Sequence, residues 1–342
     1  MSLTVALAIF GALVLAAFVA HGVWSARKAR LKRAASVPPQ ALPEREMLEP
    51  TLDAPALAST APAKPRKPPA ARLDALVDAI APIRVDAPVS AEVAIAHLPA
   101  SRRAGSKPFL VEGLNADNGE WEQITQGQRY GEFQAGVQLA NRTGALNQIE
   151  YSEFVQKIEA FAEAIGGTAD FPDMMDAVAH ARDLDAFAAQ HDAQLAVHLR
   201  ARGAAWSVGY IQQQALRLGF VPGMVPGRLV LPAAVDGAPP VLSLAFASQA
   251  ALADEPNHTP VRHATLSFDV PQTDKAGDPF AVWHTSAQAL ATDMDASIVD
   301  DNGQPLSDPG FARIGADLAR LYDALQVRRL PAGSAAARRL FS

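Results

Sequence analysis

The chain has 342 residues, 49% of them hydrophobic and 19% charged, with a net charge of −6 and no cysteine. Its length leaves room for roughly two domains. The lack of cysteine excludes a disulfide framework, a thiolate metal site and a cysteine nucleophile. With 30 Lys and Arg against 36 Asp and Glu, no overall basic field draws in nucleic acid.

Residues 3–24, beginning at Leu3 and ending at Trp24, carry no charge. As a helix they span roughly 33 Å, enough to cross a hydrocarbon core. Trp24 stands where an interfacial aromatic belongs, and Arg27, Lys28, Arg30, Lys32 and Arg33 follow at once. That asymmetry predicts a single-pass anchor over residues 1–25 with the bulk of the chain cytoplasmic. A cleaved signal peptide is the competing reading. It fits less well, because no positive segment precedes the apolar run and the charges lie on its far side.

Residues 26–106 read as a basic stop followed by a disordered Pro/Ala-rich linker. Twelve prolines fall among the 73 positions 34–106, a composition that favours polyproline II and coil over a packed core. Its coil reach is about 45–50 Å. An apolar patch at 73–83 breaks the pattern and reads as a brief helix packing on the next domain, or as a weak docking motif.

Residues 107–190 read as an additional α+β module. Strands are expected at 109–115 and 133–141, a helix at 151–165, a short strand at 168–171 and a helix through Met175, Val178, Leu184 and Phe187. This strand–helix–strand–helix order resembles that of 264–325, about 130 residues further on. A degenerate duplication and the independent use of a common pattern both account for it.

Residues 191–327 form the clearest folded segment. Residues 194–200, 228–231, 241–248, 264–270 and 296–301 read as strands. Helices are expected after Ser207, after Asp278-Pro279 and after Ser307. The order β-α-β-β-β-α-β-α predicts an α+β domain with helices on one face of a split β-α-β sheet and the other face open. Alternation places Leu195, Val197, Leu199, Leu242, Leu244, Phe246, Leu266, Phe268 and Val270 under the helices. The open face then takes Ala196, His198, Val241, Ser243, Ala245, Ala247, Thr265, Ser267 and Asp269. A shallow face of small residues suits a peptide rather than a buried metabolite. Residues 328–342 read as a disordered tail.

Motifs for catalysis and metal binding are few. His180, His191 and His198 have no zinc spacing, and Asp293, Asp295, Asp300, Asp301 and Asn302 lack the order of a calcium loop, as does the stretch from Asn115 to Gly119. Helix caps and turns explain these acids better. GxSxG, Walker and GxGxxG motifs are missing, so an enzyme is not expected, nor a cofactor, a metal or a small-molecule substrate. Trp121, Trp206 and Trp283 read as core or rim residues.

The apolar N-terminus with its basic stop, the Pro/Ala linker and the split sheet together resemble the ZipA family of bacterial cell-division proteins. The motifs that carry this resemblance are YIQQQALRLGF at 210–220, PVLSLAFAS at 240–248, TLSFDVP at 265–271 and ASIVDDNGQPLSDPGFARIGADLARLYDAL at 296–325. The resemblance implies a protein of the inner membrane at the division septum. Its open sheet face would bind the C-terminal tail of FtsZ and tether FtsZ polymers of the Z ring. By the strand matches, Ala245, Ala247 and Ser267 fall at groove positions, with Ala196 and Thr265 on the same face. Better-known members place bulkier Met and Phe side chains there, which implies a shallower groove here. An envelope-side anchored protein with another ligand is the alternative reading.

Overall fold

The computed structural model describes residues 72–235, 237–253, 255 and 259–342. The expected anchor (Leu3, Trp24, Arg27, Lys28) and the linker up to residue 71 lie outside the described residues. No helix among the described residues is long and apolar enough to cross a membrane. The described chain is mixed α+β and builds two six-stranded antiparallel sheets.

The first sheet begins with β1 (Asp78–Ser90), inside the segment expected to be linker. Val77, Ala79, Ala81 and Ile83 alternate and are at most 7% exposed, so the apolar patch at 73–83 is largely a strand, not a helix. Pro82 is accommodated because it faces Asp170, just past the last paired residue of β8, so its missing N–H costs no bond within the ladder, and Pro88 because it falls in a bulge between Arg84 and Val89. Ser90 then caps α1 (Ala91–His97) through Val93 N–H. Strands β2 (Arg103–Ala104), β3 (Lys107–Asn115), β4 (Trp121–Gln123) and β5 (Arg129–Gln138) follow. The small hairpin of β6 (Ala140–Asn141) and β7 (Gly144–Ala145) is tied down by Lys107. That fully buried ammonium donates to Asn141 Oδ1 at 2.8 Å and Gly144 O at 2.6 Å.

An Asn147–Glu150 capping box starts α2 (Gln148–Ala164). Phe154 and Phe161 of α2 pack edge-on against Phe109 and Phe133 of the sheet, with ring centroids 5.7 and 5.9 Å apart. Strand β8 (Gly167–Ala169) returns to the other side of β1, and α3 (Met174–His191) completes the unit. On the sheet's opposite face the chain covers part of itself. Leu73 lies over Gly136, where a Cβ would come within 2.5 Å of it. Leu73 N–H also donates to the buried Glu112 carboxylate at 3.0 Å.

The second sheet runs β10-β11-β12-β13-β9-β14, built from β9 (Gln194–Ala201), β10 (Val221–Pro222), β11 (Arg228–Leu231), β12 (Leu242–Phe246), β13 (His263–Asp269) and β14 (Ala296–Val299). Helix α4 (Val208–Arg217) follows β9, the short α5 (Ser248–Ala251) follows β12, and α6 (Pro279–Asp293) links β13 to β14. Trp283 of α6 is fully buried on this sheet. Its indole N–H donates to Leu266 O at 3.0 Å, and its ring meets Phe268. The last long helix, α7 (Asp308–Val327), packs on α6 through Phe311, whose ring lies 5.6 Å from Trp283.

The two sheets share a connectivity. In each, the first strand becomes central (β1, β9), is flanked by the last hairpin strand (β5, β13), and pairs on its other side with the strand that follows a long helix (β8, β14). The unit containing residues 107–190 therefore starts at β1.

The expected disordered tail is a second correction. Helix α8 (Ala335–Leu340) and its neighbours bury Leu330, Ala337, Leu340 and Phe341 to 1% exposure or less. The segment ties both sheets together. Arg339 pairs with buried Asp78, Gln138 Nε2 donates to Arg339 O, Gln272 Nε2 donates to Phe341 O, and Gly333 N–H donates to Pro271 O. Arg142 adds a bridge, 2.5 Å from Asp192 and 2.6 Å from Asp269. Residues 72–342 thus hold every element of both sheets and one continuous core, which makes this fragment a folding unit.

Candidate functional site: the second sheet's exposed face

Burial alternates through the middle of the second sheet, although Leu195 and Phe246, expected under the helices, are only partly buried. Val197, Leu199, Leu242, Leu244, Ala264, Leu266 and Phe268 are buried, while Ala196, His198, Ser243, Ala245, Thr265 and Ser267 are half-exposed. Cross-strand register gathers the latter into two rows. One is Val230, Ser243, Ser267 and Ala196; the other is Arg228, Ala245, Thr265 and His198. Four of the expected site residues, Ala196, Ala245, Thr265 and Ser267, therefore share one face. Ala247 lies beyond the end of β12, at the N-cap of α5, exposed but beside the others. A depression of about 420 Å³ at this end of the sheet is lined by Ala245, Phe246, Ala247, Pro260, Val261, Arg262, His263 and Thr265.

Small side chains make the floor, and polar groups define its borders. His198 bridges Thr265 Oγ1 at 3.0 Å and Asp301 Oδ1 at 2.8 Å, which fixes its ring against the sheet. At the far end Asp269 is held by Arg142 and Gln194. Burial pushes the Asp269 carboxyl above its ordinary pKa, opposed by the Arg142 guanidinium. At the near end Arg200, Arg228, Arg262 and His263 are exposed. The face thus offers apolar contact across its centre, hydroxyls from Ser243, Thr265 and Ser267, and a cationic edge. Such a surface can hold an extended or helical peptide with apolar and acidic side chains.

Several of the other polar residues singled out in the sequence have local partners. His191 Nδ1 lies 2.8 Å from Phe187 O, with its ring stacked on Phe187. Asp300 accepts the N–H groups of Asn302 and Gln304 in the turn after β14, and Asn115 accepts that of Asp117. Trp206 donates to Met294 O, and Trp121 lies in β4 with its carbonyl bound by Arg72. No group of three metal-ligating side chains occurs among the described residues.

Arg228, Val230, Arg262 and His263 belong to the face or its edge, and sequence reasoning did not place them. The Pro/Gly run at 221–227 hides the start of β11. Only the pairing Arg228 with Ala245 and Leu229 with Leu244 sets its register. No protein-family model matches the chain, and no curated protein matches it.

Proposed function

We propose that the chain is a non-enzymatic tether of the ZipA kind. In this reading residues 3–24 span the inner membrane as its single helix, with Arg27 and Lys28 on the cytoplasmic side. The Pro/Ala-rich segment that follows supplies reach, and the second sheet binds the C-terminal tail of FtsZ at the division septum. The observation that carries the reading is the convergence of Ala196, Ala245, Thr265 and Ser267 on one small-residue face beside a cationic edge. An apolar, acidic tail complements that face in shape and charge.

The test is recruitment. Vesicles carrying the full-length chain should capture FtsZ polymers and fail to capture polymers of FtsZ lacking its C-terminal tail. Equal capture of both, or of neither, overturns the proposal.

A further inference from the structure

The β10–β11 hairpin presents apolar side chains that nothing in the described chain covers. Met224 at its tip is fully exposed and Val225 is 52% exposed, and Leu216 near the end of α4 and Leu252 after α5 are exposed as well. The hairpin is nevertheless tightly built. Gly223 N–H donates to Arg228 O at 2.9 Å, Arg228 N–H to Val225 O at 3.1 Å, and Phe246 N–H to Gly227 O at 2.8 Å. Gly227 has φ of 79°, and a Cβ there would come within 2.7 Å of Phe246 O, so the root of the hairpin seats closely only as glycine. An ordered tip has already met the conformational cost of presenting two apolar side chains to a partner.

Charge points to the kind of partner. In a chain of net charge −6, residues 193–235 contain four arginines and no Asp or Glu. Arg228 opens β11 just after the tip, and Arg217 ends α4, the helix that packs against β10. The nearest acids in sequence are Asp192 before this stretch and Asp236 after it. Arg217 donates to the neutral Gln214, and no ion pair of Arg228 occurs among the described residues. A protruding apolar tip with a cationic collar is the chemistry of an interfacial membrane contact, which needs no matching cavity in its partner.

We propose that this hairpin docks on an anionic lipid bilayer, with Met224 and Val225 below the headgroups and Arg217 and Arg228 against lipid phosphates. The contact adjoins the peptide-binding face, sharing Arg228 with its cationic edge, and does not depend on a transmembrane anchor. It would set the second sheet at a fixed height above the membrane.

The fragment 72–342 tests it by co-sedimentation with phosphatidylglycerol/phosphatidylcholine vesicles and with phosphatidylcholine vesicles alone. The wild-type fragment should bind the anionic vesicles. Met224→Asp and Arg217→Glu should each weaken that binding by about tenfold, whereas Met224→Leu should retain it. Thermal unfolding should be unchanged in all three, since these side chains are exposed. Met224→Trp should show a blue-shifted emission only with anionic vesicles. Three results overturn the proposal: no vesicle binding by the wild type, undiminished binding by Met224→Asp, or an unshifted tryptophan. If Met224→Asp instead abolishes FtsZ-tail binding while the vesicles are ignored, the tip belongs to the peptide site and the membrane reading is wrong.

Discussion

Removing Arg339 should expose how much the chain depends on its last residues. The Asp78 side chain is 0% exposed and Arg339 is 15% exposed, and the two pair through both carboxylate oxygens, Nη1 lying 2.6 Å from Oδ2. Without Arg339, Asp78 keeps one donor, Asp74 N–H at 2.9 Å. Leaving a buried charge unpaired costs about 3–5 kcal/mol, so Arg339→Ala should lower stability by that order at neutral pH.

Burial already pushes the Asp78 carboxyl above 3.8, with Arg339 pulling it down, and the substitution removes the downward pull. A carboxyl whose folded pKa is raised favours the fold in its protonated form. The cost of Arg339→Ala should therefore shrink as pH falls through the folded pKa, and grow as pH rises above 3.8. The double variant Asp78→Asn/Arg339→Met replaces the pair with neutral groups and should recover most of the loss. Urea unfolding of the two singles and the double, at neutral and mildly acidic pH, measures the coupling. A loss below about 1 kcal/mol that is also flat with pH would show Asp78 to be hydrated and refute the reasoning.

Gly136→Leu should evict Leu73 from its seat, with trypsin cleavage after Arg72 accelerating while both sheets stay folded. Because burial depresses the Lys107 pKa, the fold favours the neutral amine. Stability should therefore rise as pH climbs towards 10.5, and Lys107→Met should flatten that slope in urea titrations. Deleting residues 1–33 should release the protein to the soluble fraction in high salt with its domain folded, because no other apolar run of about 18 residues exists to hold it and salt screens the hairpin's cationic contact with lipid. Membrane sedimentation of the deleted form in high salt would contradict that.

The second sheet was legible because its strands alternate large apolar residues with small polar ones, as in Leu242-Ser243-Leu244-Ala245 and Leu266-Ser267-Phe268. Strand β1 was not. Its inward residues include Ala79 and Ala81, too small to stand out, and Pro82 and Pro88 raised the local proline content to that of a linker. The tail hid for another reason. Leu330, Leu340 and Phe341 are too few to declare an element, and only the seam between the sheets, with Asp78 waiting for Arg339, gives them a place. The site divides the same way. Ala196, Ala245, Thr265 and Ser267 followed from a period of two, whereas Arg228 and Val230 depended on strand pairing across a Pro/Gly turn that carries no periodicity.

The most direct test of the proposed function is titration of the fragment 72–342 with a peptide of the FtsZ C-terminal tail, wild type against Ala245→Arg. Ala245 is half-exposed on the small-residue face, so an arginine there can reach water and the domain should unfold at the same temperature. A long cation must nevertheless be desolvated under an apolar peptide, and binding should fall at least tenfold, about 1.4 kcal/mol. Leu244→Arg, pointing the opposite way into the core, should destabilise the domain itself by about 4 kcal/mol. A wild-type fragment that does not bind the peptide, or a folded Ala245→Arg that binds it as well as wild type does, would contradict the account.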